Sequence, residues 1–210
     1  MSKLYIVGAG GFGREVYCWL QDEARILEGV QFAGFLDDNA QVLDGFNYPL
    51  GVVGTISAFM PGPGDVFICG IGAVGLKKKL CAQLIERGAR FLTLVHPTAV
   101  LGCNVKIGSG AVICPRVTLT CDIEVGAMAM INCHSTLGHD ARVGNWSTVS
   151  AHCDLTGFTQ IGEAVFLGSG ARVIPGKTVG DGAVVGAGSV VIRKVPAGQT
   201  VFGNPARRLD

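Results

Sequence analysis

The sequence has few charged residues and almost no excess of either sign. Charged side chains make up 16% of its 210 residues, and 17 basic residues against 16 acidic ones give a formal net charge of +1. A chain without a basic field does not hold nucleic acid or an anionic membrane through counterion release. The composition therefore predicts neither kind of partner, and a ligand must be recognised by a few local groups.

Long apolar runs and closely paired cysteines are also missing. The chain has no run of about 18 apolar residues, the length needed for a membrane-spanning helix, and its first apolar run, residues 3–8, is too short for a signal peptide. We therefore expect a cytoplasmic protein. Its eight cysteines include no Cys-x-x-Cys pair, so we expect them to be small buried hydrophobic residues rather than disulfides or zinc ligands.

Residues 1–95 alternate short apolar runs with helical periodicity, which is typical of a small β-α-β domain with a parallel sheet. In the second predicted helix, Leu84 and Ile85 are expected to face the core and the lysines at 77–79 to face solvent. The predicted strands are residues 4–7, 32–36 and 66–71, with a weaker extended segment at 51–56, and the predicted helices are residues 14–20 and 76–88.

An internal repeat with a period of six begins at about residue 98, in a second expected domain, residues 96–210, that ends in a C-terminal tail. Every sixth residue from position 101 is Leu, Ile or Val, sixteen times in succession, and the following residue is often glycine. Three hexapeptides close one triangular coil, so the array predicts a parallel β-helix of about five coils with the aliphatic side chains inside. The series is Leu101, Ile107, Ile113, Leu119, Val125, Ile131, Leu137, Val143, Val149, Leu155, Ile161, Leu167, Val173, Val179, Val185 and Val191.

A hexapeptide array behind a small Rossmann-like domain resembles the NeuD/PglD-like family of bacterial sugar acetyltransferases, which modify sialic acid or bacillosamine. The resemblance covers nearly the whole chain and implies that the β-helix is left-handed. The fold class expected is thus an α/β Rossmann-like domain followed by an all-β left-handed parallel β-helix. The matching segments are residues 6–15, 35–38, 71–72 with the lysines at 77–79, 95–97, the repeat array and residues 201–206.

The resemblance also implies a general base. Enzymes of this family transfer an acetyl group from acetyl-CoA to a sugar amine or hydroxyl, and their catalytic histidine lies in a motif of His, acid, two residues, aliphatic and Gly. Residues 139–144 match it, which makes His139 the expected base and Asp140 the residue that orients its ring. Alternatively, His139 is a surface histidine and Asp140 a solvated turn carboxylate, because neighbouring strand residues face opposite sides.

Further positions are expected to contact acetyl-CoA by the same resemblance. The Gly157 N–H matches a donor to the thioester oxygen, and Asn132 matches a position that contacts acetyl-CoA or the acceptor. Thr148 stands where a related enzyme has a second, CoA-contacting histidine, so this contact departs from the family pattern. The expected pantetheine path is Gly170, Ala187 and Gly188.

The segment from Gly8 to Gly13 fits G-x-G-x-x-G between a strand and a helix, a pattern that binds phosphate. Three interpretations stay open: a dinucleotide site, a structural glycine turn, and, as the resemblance implies, a cradle for the diphosphate of a nucleotide-linked sugar. The last interpretation is favoured because only one abbreviated β-α-β half is present. Its expected substrate-binding residues are Gly8, Gly10, Gly11, Phe12, Gly13, Asp37, Asp38 and Gly72.

We therefore expect an acetyl-CoA-dependent N-acetyltransferase that acts on the 4-amino group of a nucleotide-linked 4-amino-6-deoxy sugar in surface polysaccharide or glycan synthesis. It should be a homotrimer with sites between subunits and need no metal and no NAD. Sialic acid O-acetylation is the main alternative. A zinc hydratase of the γ-carbonic-anhydrase type, with His134 and His139 as ligands, and a non-enzymatic trimerisation stalk are the others.

Overall fold

The computed structural model describes residues 2–22 and 29–209. The chain divides between Leu94 and Val95 into two compact units. Within the described ranges, no helix is both long and apolar enough to cross a bilayer.

The N-terminal unit is built on a five-stranded sheet in the order β3-β2-β1-β4-β5, in which every neighbouring pair is parallel. The central strands are buried on both faces, as is usual for parallel sheets; all four residues of β4 are buried. The elements are β1 (Ser2–Val7), α1 (Gly11–Asp22), β2 (Val30–Leu36), β3 (Val52–Gly54), β4 (Val66–Cys69), α2 (Val74–Glu86) and β5 (Arg90–Phe91).

The predicted orientation of α2 is only partly right: Leu84 is buried as expected, but Ile85 is exposed and Lys77 is buried. The buried side chains of this helix are Lys77, Cys81 and Leu84, whereas Leu76 is 51% exposed and Ile85 is 42% exposed. These three buried residues are four and three positions apart, a spacing that places them on one face of the helix. A run of three lysines is expected to face solvent, and nothing in the local pattern distinguishes Lys77, the first of the three, as the buried one.

Lys77 lies beside two buried thiols. The Sγ atoms of Cys81 and Cys69 are 3.7 Å apart, and the Lys77 side chain has no exposed surface. Burial disfavours the charged ammonium and lowers the pKa of Lys77 to about 8, although the nearby thiols act in the opposite direction.

The C-terminal unit is a parallel β-helix, which confirms the predicted fold class. Its strands form three faces: the first holds β7, β10, β13, β16, β19 and β22, the second β8, β11, β14, β17 and β20, and the third β6, β9, β12, β15, β18, β21, β23 and β24. The strands are β6 (Leu94–Val95), β7 (Val100–Leu101), β8 (Lys106–Ile107), β9 (Val112–Ile113), β10 (Thr118–Leu119), β11 (Glu124–Val125), β12 (Met130–Ile131), β13 (Thr136–Leu137), β14 (Arg142–Val143), β15 (Thr148–Val149), β16 (Asp154–Leu155), β17 (Gln160–Ile161), β18 (Phe166–Leu167), β19 (Arg172–Val173), β20 (Thr178–Val179), β21 (Val184–Val185), β22 (Val190–Val191), β23 (Thr200–Phe202) and β24 (Arg207–Arg208).

Adjacent coils stack in strict register, residue over residue. Leu119 pairs with Leu101 on one side and with Leu137 on the other. The glycines after the aliphatic residues permit this approach: a methyl group on Gly108 would lie 2.5 Å from the Ala127 nitrogen of the next coil. Buried serines join the coils, since Ser147 Oγ donates to the Gly162 carbonyl at 2.7 Å and accepts the Val165 N–H at 2.9 Å.

The eight cysteines are all free thiols, but only four of them are buried as predicted, namely Cys69, Cys81, Cys114 and Cys153. Cys18 and Cys103 are exposed, and Cys121 and Cys133 are half-buried.

We expect the stability of the N-terminal unit to rise with pH because of Lys77. Its pKa is about 8 in the folded chain and near 10.4 in the unfolded chain. Between these values the unfolded chain binds more protons, so the free energy of unfolding should increase by about 1 kcal/mol from pH 7 to pH 9. Urea unfolding followed by Trp19 fluorescence in a Trp146→Phe background measures this increase. It should persist in Lys78→Met and be absent in Lys77→Met; an unchanged increase in Lys77→Met would contradict the assignment.

Two leucines on the first face provide a matched test of the β-helix core. Leu155 is completely buried, whereas Leu101, in the first coil of the same ladder, is 41% exposed. Leu155→Ala should lower the free energy of unfolding by about 2–5 kcal/mol because it leaves a cavity, and Leu101→Ala by about 1 kcal/mol or less. Denaturant unfolding of both variants gives the comparison, and equal losses would show that the end coil is as tightly packed as the middle.

Candidate functional site

The N-terminal unit contains a pocket of about 630 Å³ at the carboxyl ends of its central strands, which is where open α/β sheets bind ligands. Seven of the eight residues predicted to bind substrate line it; Gly13 does not. Sequence reasoning missed several others, including Lys79, which is exposed as predicted and also borders the pocket. The lining is Gly8, Gly10, Gly11, Phe12, Asp37, Asp38, Asn39, Ile56, Gly70, Ile71, Gly72, Ala73, Leu76, Lys79 and Leu80.

The glycine loop follows β1 and leads directly into α1, which begins at Gly11. Gly13 lies behind the loop, where a methyl group would overlap the Gly8 carbonyl oxygen, and one on Gly70 would lie 2.7 Å from the Gly13 Cα. These glycines therefore bring the ends of β1 and β4 and the start of α1 into backbone contact. The free amides at the start of α1 face the side of the sheet that holds the pocket, an arrangement suited to a phosphate group.

The two aspartates that follow β2 are tied to the protein backbone. Asp37 Oδ2 accepts the Ala9 N–H at 2.8 Å, and its Oδ1 accepts the Asn39 N–H at 2.9 Å. Asp38 Oδ1 accepts hydrogen bonds from the N–H and the hydroxyl of Ser57 at 3.0 and 3.1 Å. Asp37 thus fixes the glycine loop, and both aspartates line the pocket, where a carboxylate can accept a hydrogen bond from a ribose hydroxyl.

His139 lies in the β-helix on the corner that joins the first face to the second; we call residues 102–105, 120–123, 138–141 and 156–159 the His139 corner. Its Nδ1 is 2.9 Å from Asp140 Oδ2, and the two side chains are 55% and 44% exposed. Asp140 has φ of 61°, so the alternation of sides that holds in a strand does not apply to it. This left-handed turn brings the carboxylate to the same side as the imidazole, which leaves Nε2 as the nitrogen free to react.

The next coil provides the floor of this site. A methyl group on Gly157 would lie 2.6 Å from His139 Nε2, so the ring position requires glycine there. No backbone carbonyl among the described residues accepts the Gly157 N–H. Phe158 packs against the same imidazole, with ring centroids 4.9 Å apart and an interplanar angle of 87°. Sequence reasoning did not identify Phe158, because no polar motif marks it.

Most of the predicted CoA contacts lie on a different corner, between the third face and the first. This Asn132 corner, residues 114–117, 132–135, 150–153, 168–171 and 186–189, holds Asn132, Gly170, Ala187 and Gly188. Asn132 Oδ1 accepts the neighbouring Cys133 N–H at 2.7 Å, and Ala187 is exposed. Thr148 is on β15 and only 3% exposed, so it offers CoA almost no surface in this chain.

The geometry does not bring His134 and His139 to one point. His134 lies on the Asn132 corner, where its ring stacks on that of His152 at a centroid distance of 4.9 Å and an angle of 6°. In the part of the chain that the structure describes, no three His, Cys, Asp or Glu side chains cluster as metal ligands would.

Comparisons with known proteins match both units. Residues 3–84 match the PglD N-terminal domain, and residues 158–193 match the bacterial transferase hexapeptide repeats. UDP-N-acetylbacillosamine N-acetyltransferase of Bacillus subtilis (strain 168) is 30% identical over 118 residues, which are 54% of this chain and 51% of that enzyme. The chain thus spans about half the length of this curated relative.

Two solved structures match along the whole chain. PerB from Caulobacter crescentus, in complex with CoA and GDP-perosamine, is 30% identical with a TM-score of 0.88 and covers 100% of this chain and 98% of its own. WeeI from Acinetobacter baumannii AYE is 31% identical with a TM-score of 0.86, and each chain is covered completely. With both units matched and full-length relatives of this similarity, the chain belongs to the NeuD/PglD-like family of hexapeptide-repeat sugar acetyltransferases.

Proposed function

We propose that the protein transfers the acetyl group of acetyl-CoA to the 4-amino group of a nucleotide-linked 4-amino-6-deoxy sugar. The observation that carries this proposal is the geometry around His139. Its Nδ1 is held by Asp140 at 2.9 Å, and its Nε2 lies beside Gly157, whose N–H has no backbone acceptor in the described part of the chain. An exposed proton acceptor thus lies directly beside the buried backbone of Gly157.

This pair fits attack on a thioester. The sugar amine adds to the thioester carbonyl and loses a proton to His139 Nε2, while the Gly157 N–H stabilises the negative charge that develops on the carbonyl oxygen. Asp140 stabilises the imidazolium that forms. Collapse of the adduct then breaks the carbon–sulfur bond, and the CoA thiolate takes the proton back from His139, which leaves the amide and free CoA.

The N-terminal pocket is proposed to hold the nucleotide diphosphate. Its support is the combination of loop amides at the start of α1, the Lys79 ammonium and the carboxylates of Asp37 and Asp38 in one 630 Å³ pocket. The first groups suit phosphate and the carboxylates suit ribose hydroxyls. Two relatives also support a nucleotide-sugar site, since one is named for a UDP-linked amino sugar and the structure of another contains GDP-perosamine.

We propose that CoA binds across two copies of the chain in a homotrimer. His139 and Gly157 occupy one corner of the triangular coil, whereas Asn132, Gly170, Ala187 and Gly188 occupy another, and a rigid coil cannot bring its own corners together. A neighbouring copy in cyclic symmetry can place its Asn132 corner against the His139 corner. The eight free thiols fit a reducing compartment, and we propose the cytoplasm.

Replacement of His139 tests the reaction. With acetyl-CoA and a panel of UDP-, GDP- and dTDP-linked 4-amino sugars plus free sialic acid, wild type should release CoA with at least one amino-sugar nucleotide. His139→Ala should lower kcat by about a hundredfold or more, because it removes the general base, while its affinity for CoA stays within about twofold. Lys106→Ala removes an exposed side chain on the second face of the β-helix, outside both corners, and should keep kcat within about threefold.

If sialic acid were the only acceptor in the panel that supports CoA release, the reaction would be O-acetylation and the proposed N-acetylation would be wrong. Equal loss of kcat in Lys106→Ala and His139→Ala, or no loss in His139→Ala, would contradict the role of His139 as the general base.

Complementation tests the shared site. Ala187→Trp should block CoA on the Asn132 corner, and Ala197→Trp, another exposed alanine of the β-helix, serves as its control. If each site combines corners from two copies, His139→Ala and Ala187→Trp are both inactive alone, but unfolded and refolded together in equal amounts they should recover about one quarter of wild-type activity. No recovery in mixed trimers verified by native mass spectrometry would place both corners of a site in one chain.

A further inference from the structure

Phe158 occupies a position that suits a phenylalanine poorly. It lies at the His139 corner with φ of 59°, the left-handed region in which a bulky L-residue is strained and Asn or Gly is preferred. Its surface is 55% exposed, so burial of the phenyl ring returns little stability. The equivalent residues of the three preceding coils are Asn104, Asp122 and Asp140, all polar.

The contacts of Phe158 are concentrated on the proposed base. The phenyl and imidazole rings meet edge to face at 4.9 Å and 87°, and the Phe158 N–H donates to the His139 carbonyl at 2.9 Å. The imidazole therefore has three fixed neighbours: Asp140 at Nδ1, the bare backbone of Gly157 next to Nε2, and the Phe158 ring. The phenyl ring limits the rotation of the imidazole that the Asp140 hydrogen bond alone would permit.

We propose that Phe158 is a specificity-determining residue of the transferase, which positions the His139 ring and offers its exposed phenyl surface to the acceptor sugar. This inference rests on the proposed function and deepens it. An amine that reaches His139 Nε2 brings the adjoining sugar carbons within reach of a side chain that lies against the same imidazole. The chemical partner that suits an uncharged phenyl surface is the apolar C–H side of a hexose, above all the methyl group of a 6-deoxy sugar.

The same surface discriminates against sugars that keep a 6-hydroxyl. A hydroxyl placed against the phenyl ring loses its hydrogen bond to water and gains no partner, which disfavours binding. Phe158 thus predicts a preference for a 6-methyl acceptor over its 6-hydroxymethyl analogue, independent of which nucleotide the N-terminal pocket holds.

The test uses three substitutions that separate strain, bulk and aromaticity. Phe158→Asn relieves the backbone strain, Phe158→Leu keeps apolar bulk, and Phe158→Tyr keeps the aromatic ring. Asn104→Ala, at the equivalent exposed corner three coils earlier, controls for an unrelated change at a left-handed position. Each variant is assayed with the acceptor that wild type uses and with its 6-hydroxymethyl analogue, and kcat and KM are determined for acceptor and acetyl-CoA separately.

We expect Phe158→Asn to lower kcat/KM for the acceptor by about tenfold or more and to reduce the preference for the 6-methyl sugar by a similar factor. The KM for acetyl-CoA should stay within about twofold, and the Tm should be equal to or above that of wild type. Phe158→Tyr should remain within about threefold of wild type and Phe158→Leu should fall between, with Asn104→Ala unchanged. A residue with a merely structural role would instead lower the Tm.

A second measurement, by NMR, detects the contact between the Phe158 and His139 rings without requiring catalysis. In wild type the His139 ring packs edge to face against a phenyl ring, so the NMR shift of its Cε1 proton should move in Phe158→Asn and Phe158→Leu and stay nearly constant in Phe158→Tyr. Unchanged kcat/KM and unchanged sugar preference in Phe158→Asn, with an active wild type, would overturn this inference alone. A wild type that releases CoA with no acceptor would overturn the proposed function and this inference with it.

Discussion

The stacking of each coil directly on the one before it is the constraint on which the β-helix depends. Backbone hydrogen bonds join residues 17 positions apart, as from the Gly108 N–H to the Val125 carbonyl at 2.8 Å. Side chains at glycine positions would break this approach, and the aliphatic series fills the interior that the approach creates. Because the coil is rigid, the position of a corner residue is set by the coil to which it belongs and by its place in the hexapeptide. The site at His139 is therefore assembled from residues that are distant in sequence but fixed in space.

The repeat could be read from the sequence because one rule applies at every sixth position. Aliphatic spacing predicted each strand of the array, and the glycine motif predicted the pocket lining. These features are local, because sequence period and spacing specify them and the tertiary contacts agree with that specification. The same holds for the side chains at the His139 motif, whose spacing in sequence sets their place on one corner.

Other features depended on contacts that no local pattern encodes. Lys77 is buried because α2 turns that stripe toward the sheet, and its two neighbouring lysines are exposed. Asp140 faces His139 because the corner is left-handed, which a strand-based rule cannot anticipate. Asp37 was expected to meet a ribose, and it also holds the Ala9 amide of the glycine loop. Phe158 belongs to no recognisable sequence motif, and only its contact with the His139 ring in the structure places it at the site.

The left-handed corners have a consequence for how such a protein can change. Ten residues other than glycine adopt positive φ at these corners, among them Arg116, His134, Trp146 and Phe158. Nine of these side chains are exposed or half-buried and only Met128 among them is buried, while the core is filled mainly by other positions of the hexapeptide. A corner residue can therefore be exchanged among very different chemical types without repacking the interior. The β-helix thus separates the positions that set stability from those that set chemistry, and new substrate preferences can arise by single substitutions along one edge.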